Sequence, residues 1–344
     1  MSKNASPEKP PSQPAKRKRP FIRWQKPMIG VLIALTPCTF SAIYRFGWRT
    51  LAVIAAVTAA AVVSEWLFTR QRNEPVSSAV FVTSLILALI LPPTLPLWMA
   101  AVGAVVAIAI SKEAFGGFGR NVFNPAMTGR CFLYICFAQR MSVFWSQPAS
   151  GVGGMTQWLT EPIQAVTGAT PLDQFKTALT TAGQSVETVD LPGYWDLLIG
   201  NRAGCLGETA GLAILLGAAY LLWKRYADWR LIASAIVGLL VTTVLLRLSG
   251  VQGIPDPLWN LLAGGFLFAA VFMVTDPVSA PRRRPSKYIS GFLVGALTVI
   301  LRRFGIFPEG VMFALLLANT FNPTIDLAVA AVQEKKKAKA EADA

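Results

Sequence analysis

Ten apolar stretches separated by short polar or basic turns set the rhythm of the chain, at roughly 28–48, 50–69, 76–91, 95–111, 125–145, 204–223, 229–247, 257–275, 288–305 and 309–332. A membrane-crossing helix needs about 20 such residues. The pattern therefore predicts an all-α integral membrane protein of about ten transmembrane helices. The third and fourth stretches are joined by the tight turn Leu91-Pro92-Pro93-Thr94-Leu95-Pro96. The single long interruption, residues 146–203, leaves five stretches on either side. Two five-span blocks that share a fold must face the membrane in opposite directions. The expected organisation is thus a five-helix half at 28–145, a loop at 146–203 and an inverted five-helix half at 204–332. Asn121-Val122-Phe123-Asn124-Pro125 and Asn319-Thr320-Phe321-Asn322-Pro323 repeat one pattern across the two blocks.

The flanks are polar. Residues 1–27 carry several prolines and the run Lys16-Arg17-Lys18-Arg19, a composition that reads as a disordered basic tail without a cleavable signal. Residues 333–344 read as a second charged tail.

Composition sharpens this picture. Charged residues make up 15% of the chain and hydrophobic ones 53%, against about 25% charged in soluble proteins. The net charge of +14 does not signal nucleic acid, because the basic residues flank apolar runs instead of covering a soluble face. With ten spans, 23 Lys and Arg fall on the side of the termini and 8 on the other, Arg130 lying inside a stretch. By the positive-inside rule both termini are expected in the cytoplasm and loop 146–203 outside. Histidine is absent, which removes the commonest haem ligand and general base. The four cysteines, Cys38, Cys131, Cys136 and Cys205, lie in apolar segments without C-x-x-C spacing and read as small buried hydrophobes. Electrons crossing such a protein need an organic cofactor.

Three groups of residues can carry chemistry. The stretch from Lys112 to Pro125 holds Gly116, Gly117 and Gly119 and cannot continue a helix, yet it is apolar enough to lie at membrane depth. Irregular backbone there is expected to be buried or to line a cavity, with the amides of Asn121 and Asn124 suited to a heterocycle edge. Glu65, Glu208, Glu309, Asp276 and Asp326 are acids at or within the apolar stretches, where charge is expensive and points to an ion path or a paired cation. For Asp276, just ahead of Arg282-Arg283-Arg284, a helix-end or ion-pair role competes with transport. Thr167-Gly168-Ala169-Thr170-Pro171 is ordinary turn composition, but in the outward loop it offers a hydroxyl on what is expected to be an exposed segment.

Several motifs in order give the chain a resemblance from about residue 28 to 332. They are Phe81-Val82-Thr83-Ser84, Leu91-Pro92-Pro93-Thr94-Leu95-Pro96-Leu97-Trp98, Lys112-Glu113 with Phe115-Gly116-Gly117, Gly119-Arg120-Asn121, Asn124-Pro125-Ala126, Gly168-Ala169-Thr170, Gly207-Glu208-Thr209, Thr275-Asp276-Pro277-Val278-Ser279 and Pro308-Glu309-Gly310. The sequence resembles the family that contains NqrB, of the sodium-translocating NADH:quinone reductase, and RnfD, of the Rnf ferredoxin:NAD complex. That resemblance implies ten helices in two inverted halves. It implies FMN held covalently through a phosphoester on Thr170, in the motif Thr167-Gly168-Ala169-Thr170, attached by a flavin transferase. It also implies a non-covalent riboflavin near Asn121 and Asn124, and ion handling at Asp276, with Glu208 and Glu65 as further candidates on the ion path. Gln164 stands where such attachment motifs usually have Asp, and Ser77-Ser78 where the NqrB branch carries an acid. The implied role is a subunit passing electrons toward a quinone such as ubiquinone or a partner subunit while Na⁺ or H⁺ is moved. The competing readings are a solute transporter or channel of the same inverted-repeat architecture, discriminated by bound flavin, and a scaffold subunit without cofactors.

Overall fold

The computed structural model describes residues 20–143, 145–149, 152–156, 158, 170–181 and 192–343. The apolar stretches form helices α1 (Lys26–Phe46), α2 (Arg49–Arg72), α3 (Ala79–Leu89), α4 (Leu97–Ile108), α5 (Pro125–Cys136) and α6 (Ala138–Ser142), followed by α7 (Pro171–Thr181) and α8 (Tyr194–Ile199). The rest of the chain gives α9 (Gly211–Trp223), α10 (Trp229–Leu248), α11 (Pro257–Leu262), α12 (Phe266–Phe272), α13 (Arg284–Phe304) and α14 (Val311–Ala342). Helices α1, α2, α10 and α14 are each long and apolar enough to cross a membrane. The protein is an α-helical, multi-pass membrane protein.

Breaks within the expected spans are where the structure departs from the hydrophobic pattern. The fifth stretch divides between α5 and α6 at Phe137, and the eighth divides between α11 and α12 at Ala263-Gly264-Gly265. Gly264 has φ of 65°, a conformation that glycine reaches without a Cβ clash. Helix α4 runs on into a π-helical turn, Ala109–Glu113, and the chain then reverses through Gly116 and Gly117 at φ 99° and 94°. Helix α14 carries through Pro323 to Ala342, so the charged residues after 332 continue a helix. Part of the expected disordered N-terminal tail is ordered as well. Ile22–Arg23 pairs in parallel with Val76–Ser77, Trp24 stacks on Phe81 at 5.6 Å, and Gln25 N donates to Ser78 Oγ at 3.0 Å. Residues 1–19 lie outside the described residues.

In the first block α2 packs on α4 and α4 on α5; in the second, α10 packs on α13 and α13 on α14. Helices α1 and α9 join the blocks, around a core that includes Leu35, Leu87, Phe266 and Phe268. The α10–α13 seam is built from small residues. A Cβ on Gly295 would overlap the carbonyl oxygen of Ala235, and one on Gly238 that of Phe292, so the two backbones touch. In a lipid environment such close approach replaces the hydrophobic driving force available in water.

Candidate functional site

Two polar sites occupy opposite ends of the bundle. Met28, at the start of α1, lines the first, whereas Arg45, near its other end, donates to Ile199 O at 2.7 Å in the segment that leads into the second. The 21 residues of α1 span about 30 Å at ~1.5 Å per residue.

The first site is a cleft of about 770 Å³ of empty space, mouth included, lined by apolar residues of α1, α3, α9 and α12 together with Lys112, Asn121, Asn124, Thr275 and Asp276. Its floor is charged. Lys112 Nζ lies 2.6 Å from Glu65 Oε2, with the side chains 2% and 1% exposed, and Glu65 Oε1 accepts from Ser77 N at 2.8 Å. The π turn positions Lys112, and beside it Arg72 pairs with Glu113. Asn124 caps α5, its Oδ1 accepting from Met127 N at 3.2 Å, with Pro125 at the first helical position, where its missing N–H costs nothing. Asn121 Nδ2 donates to Phe123 O at 3.1 Å. Each amide thus spends one polar atom on backbone and keeps the other. Asp276 accepts from Ser279 Oγ at 2.8 Å and Val278 N at 3.3 Å, a local turn. Of the two acids near the arginine run, Asp326 is the one that meets it, accepting from Arg282 N and Arg283 N.

The second site is a buried ion cluster. Arg130, 1% exposed, reaches Glu208 Oε1 at 2.6 Å, Cys205 Sγ at 3.4 Å and Glu309 Oε2. Cys205, Glu208 and Glu309 are grouped closely enough to hold a metal ion, but the guanidinium of Arg130 already supplies the positive charge at their centre. Arg302 donates to Ala263 O at 2.9 Å and to Asn260, and Arg202 donates to Gly264 O at 3.3 Å. These cations thus meet carbonyls at the break where α11 ends, while Glu208 lies against Gly265 at the start of α12. Charges at the two half-helix ends match the dipole at each.

Thr170 sits over this cluster and is 5% exposed. The expectation of an exposed hydroxyl is therefore corrected. Thr170 Oγ1 donates to Asp173 Oδ2 at 2.8 Å and accepts from Asp173 N at 3.2 Å, and Pro171 opens α7. This is a helix cap: the hydroxyl satisfies a free backbone N–H of the first turn. Thr167, Gly168 and Ala169, and Gln164 before them, lie outside the described residues. The roles of Arg130, Arg202 and Asp173 were not anticipated from the sequence. A single arginine inside an apolar stretch signals a buried partner, and Thr170-Pro171-Leu172-Asp173 spells a capped helix start.

Burial pushes the Asp173 carboxyl up from 3.8 to about 6, while its bond to Thr170 pulls the other way. The native state therefore holds this proton more tightly than the unfolded chain does. Its contribution to stability is full below about pH 4 and is lost as the pH rises through about 6. Amide exchange in α7, corrected for intrinsic rates, is expected to show more protection near pH 4.5 than near pH 7.5, and Asp173→Asn is expected to flatten the difference. Equal protection of the unaltered protein at both values would refute it.

Comparison with known proteins places this geometry. The model of the NQR2, RnfD, RnfE family matches residues 16–334. The chain belongs to that family. NqrB of the Na(+)-translocating NADH-quinone reductase of Chromohalobacter salexigens is 42% identical over 269 residues, covering 76% of this chain and 61% of that protein. Its counterpart in the Na(+)-translocating NADH-quinone reductase of Haemophilus influenzae is 37% identical, covering 79% and 64%. RnfD of the proton-translocating ferredoxin:NAD(+) oxidoreductase complex of Clostridium ljungdahlii is 36% identical over 310 residues, covering 88% of each chain. The chain thus spans about three fifths of the NqrB relatives and most of the RnfD relative.

Proposed function

We propose that this chain is a flavin-carrying subunit of an ion-translocating electron-transport complex in a bacterial inner membrane, with both termini cytoplasmic. The observation that carries the reading is the pairing of family membership with two polar sites at opposite ends of one bundle, Asn121 and Asn124 at one and Thr170 at the other. The recurrence of the same packing order in the two blocks supports two inverted five-helix halves.

The residues of the cleft suit a flavin, and at the other end the Thr170 hydroxyl is the group that would carry one once released from Asp173. In the cleft, Asn121 Oδ1 and Asn124 Nδ2 have no partner among the described residues, giving one acceptor and one donor for the mixed edge of an isoalloxazine, between apolar walls. Riboflavin or a second flavin is assigned there. At the other end Thr170 would carry FMN as a phosphoester formed by a flavin transferase, above a cavity lined by the unpartnered Nη1 of Arg202 and Oγ1 of Thr209. Flavins supply reversible one- and two-electron chemistry when bound. The protein's own part is to hold them, keep water from the bundle between them and present charge to the moving ion.

Asp276, which lines the cleft, Glu65, paired with Lys112 beside it, and Glu208, paired with Arg130 in the opposite cluster, are the acids assigned to the handling of Na⁺ or H⁺. The other subunits, which supply the electron donor, and a quinone or partner acceptor complete the complex. A plain solute transporter is the second reading, favoured by the break between α11 and α12 with charged groups at each half-helix end.

The two readings separate on one gel. After co-expression with a flavin transferase, the denatured protein is expected to fluoresce under ultraviolet light and Thr170→Ala to be dark. A dark band for the unaltered protein, with the transferase active on another substrate, would overturn the flavoprotein reading.

A further inference from the structure

The second copy of the repeated pattern, Asn319-Thr320-Phe321-Asn322-Pro323, lies on α14 and does not line the cleft. Its asparagines border a separate open groove, about 1460 Å³ of empty space with its mouth, that shares only Asn121 and Val278 with the cleft. Asn319 and Asn322 are 2% and 5% exposed. Asn322 Nδ2 donates to Ser279 O at 2.8 Å, but its Oδ1, like the Nδ2 of Asn319, has no partner among the described residues. Buried amides are normally satisfied, so one free donor and one free acceptor beside a groove call for a ligand.

The rim gives that ligand its charge. Arg120, Arg282 and Arg283 line the groove, and among the described residues no carboxylate pairs with their side chains; Arg283 Nη1 is bonded to the neutral Gln333 at 2.7 Å. Asp326 is the acid that lines it, and its two oxygens accept from the backbone N–H groups of Arg282 and Arg283 at 2.8 and 3.2 Å, where α13 begins. Asp276, on the cleft side, is satisfied by Ser279 and Val278. Three guanidinium charges against these two carboxylates leave the groove positive, and Lys335, Lys336 and Lys337 follow on the same helix.

Depth decides which anion fits. Helices α13 and α14 run antiparallel, with Arg302 meeting Glu309 O at one end and Arg283 N meeting Asp326 at the other. From Asp326, Asn322 and Asn319 lie roughly 6 and 10 Å back along the helix at ~1.5 Å per residue. Charge at the rim and amides beneath it follow the order of phosphate and ester oxygens in a phospholipid. Leu327, 71% exposed, Pro323 and Ala330 add an apolar flank. Inorganic phosphate would match the rim and leave the amides unmet, while a neutral quinone would leave the guanidinium groups unmatched.

We propose that this groove binds the headgroup of an anionic glycerophospholipid, as basic pockets between membrane helices do. The phosphate lies against Arg120, Arg282 and Arg283, an ester carbonyl accepts from Asn319 Nδ2, and a headgroup hydroxyl donates to Asn322 Oδ1. The bound lipid ties α14 to Gly119–Val122, the stretch that leads into the cleft.

The test titrates the full chain, purified in detergent and stripped of lipid, with phosphatidylglycerol, phosphatidylcholine or inorganic phosphate, and counts bound ligand by native mass spectrometry. Phosphatidylglycerol is expected to bind saturably, and the other two about tenfold more weakly or less tightly still. Arg282→Gln with Arg283→Gln keeps the backbone bonds to Asp326 and is expected to weaken phosphatidylglycerol about tenfold or more. Asn319→Leu, which removes the free amide at similar volume, is expected to weaken it too, and decides the matter should the double variant fail to accumulate. Inorganic phosphate bound as tightly as the lipid would make the groove a soluble-anion site and overturn the proposal. Equal binding of the two lipids, or binding that neither variant moves, would overturn it as well. A double variant that holds lipid normally but loses a subunit from the intact complex would assign the groove to a protein partner instead.

Discussion

Arg130→Met is expected to destabilise the protein by about 3–5 kcal/mol, the range for removing one partner from a buried ion pair. Arg130 is among the largest fully buried side chains and is the shared partner of Glu208 and Glu309. Removing it leaves two carboxylates without the guanidinium that bridges them, in an interior that solvates neither. The same logic predicts a rescue. Combining Arg130→Met with Glu208→Gln and Glu309→Gln takes both charges away and is expected to restore most of the loss, although the amides still need partners. Thermal unfolding of the purified protein in detergent, followed by tryptophan fluorescence, measures both. A single variant that melts with the unaltered protein would mean that Arg130 is not holding α5 to the segments that carry Glu208 and Glu309.

Gly295→Leu is expected to separate α10 from α13 and to cost more than the ~1–3 kcal/mol typical of an overpacked core. The reason is the identity of the atoms in the way. At Gly295 a Cβ would meet the Ala235 carbonyl oxygen, Leu239 N and the Gly238 carbonyl carbon, all backbone, and no rotamer change can clear them. At Gly291 the obstruction includes the Ser234 hydroxyl, which can turn, and the Leu231 carbonyl oxygen, which cannot. Gly193→Ala serves as the control, because its nearest neighbour would be 3.7 Å away, and is expected to stay within about 0.5 kcal/mol. Size-exclusion profiles and melting of the two variants beside the unaltered protein give the ranking; a Gly295→Leu protein as stable as Gly193→Ala would show that the seam is not close-packed.

What the sequence disclosed and what it hid follow from range. Runs of about 20 apolar residues are local, so the helical, membrane-embedded architecture could be read directly, and the irregular Lys112–Pro125 stretch could be assigned to a cavity wall because glycines and asparagines sit where a helix should continue. Asn121, Asn124 and Asp276 indeed share one cleft. The Arg130 cluster was not legible, since its partners lie 78 and 179 residues further on and no local periodicity encodes such a meeting. Leu261-Leu262-Ala263-Gly264-Gly265 is apolar throughout, so hydropathy passes over the break that Arg202 and Arg302 bind. At Thr170 the information is local but ambiguous between a turn and a helix start, because Pro171 marks the first residue of a helix as readily as it ends one.

The long reach of Arg130 also has a meaning during synthesis. At about 5–20 residues per second, the 179 residues between Arg130 and Glu309 take roughly 10–35 s to emerge from the ribosome. For that interval the arginine is made ahead of one of its two carboxylates, and α5 must be sheltered by headgroups or by the insertion machinery until Glu309 arrives. A chain truncated before Glu309 therefore leaves Arg130 with one of its two carboxylates, and the same residue that joins distant segments marks that chain as unfinished.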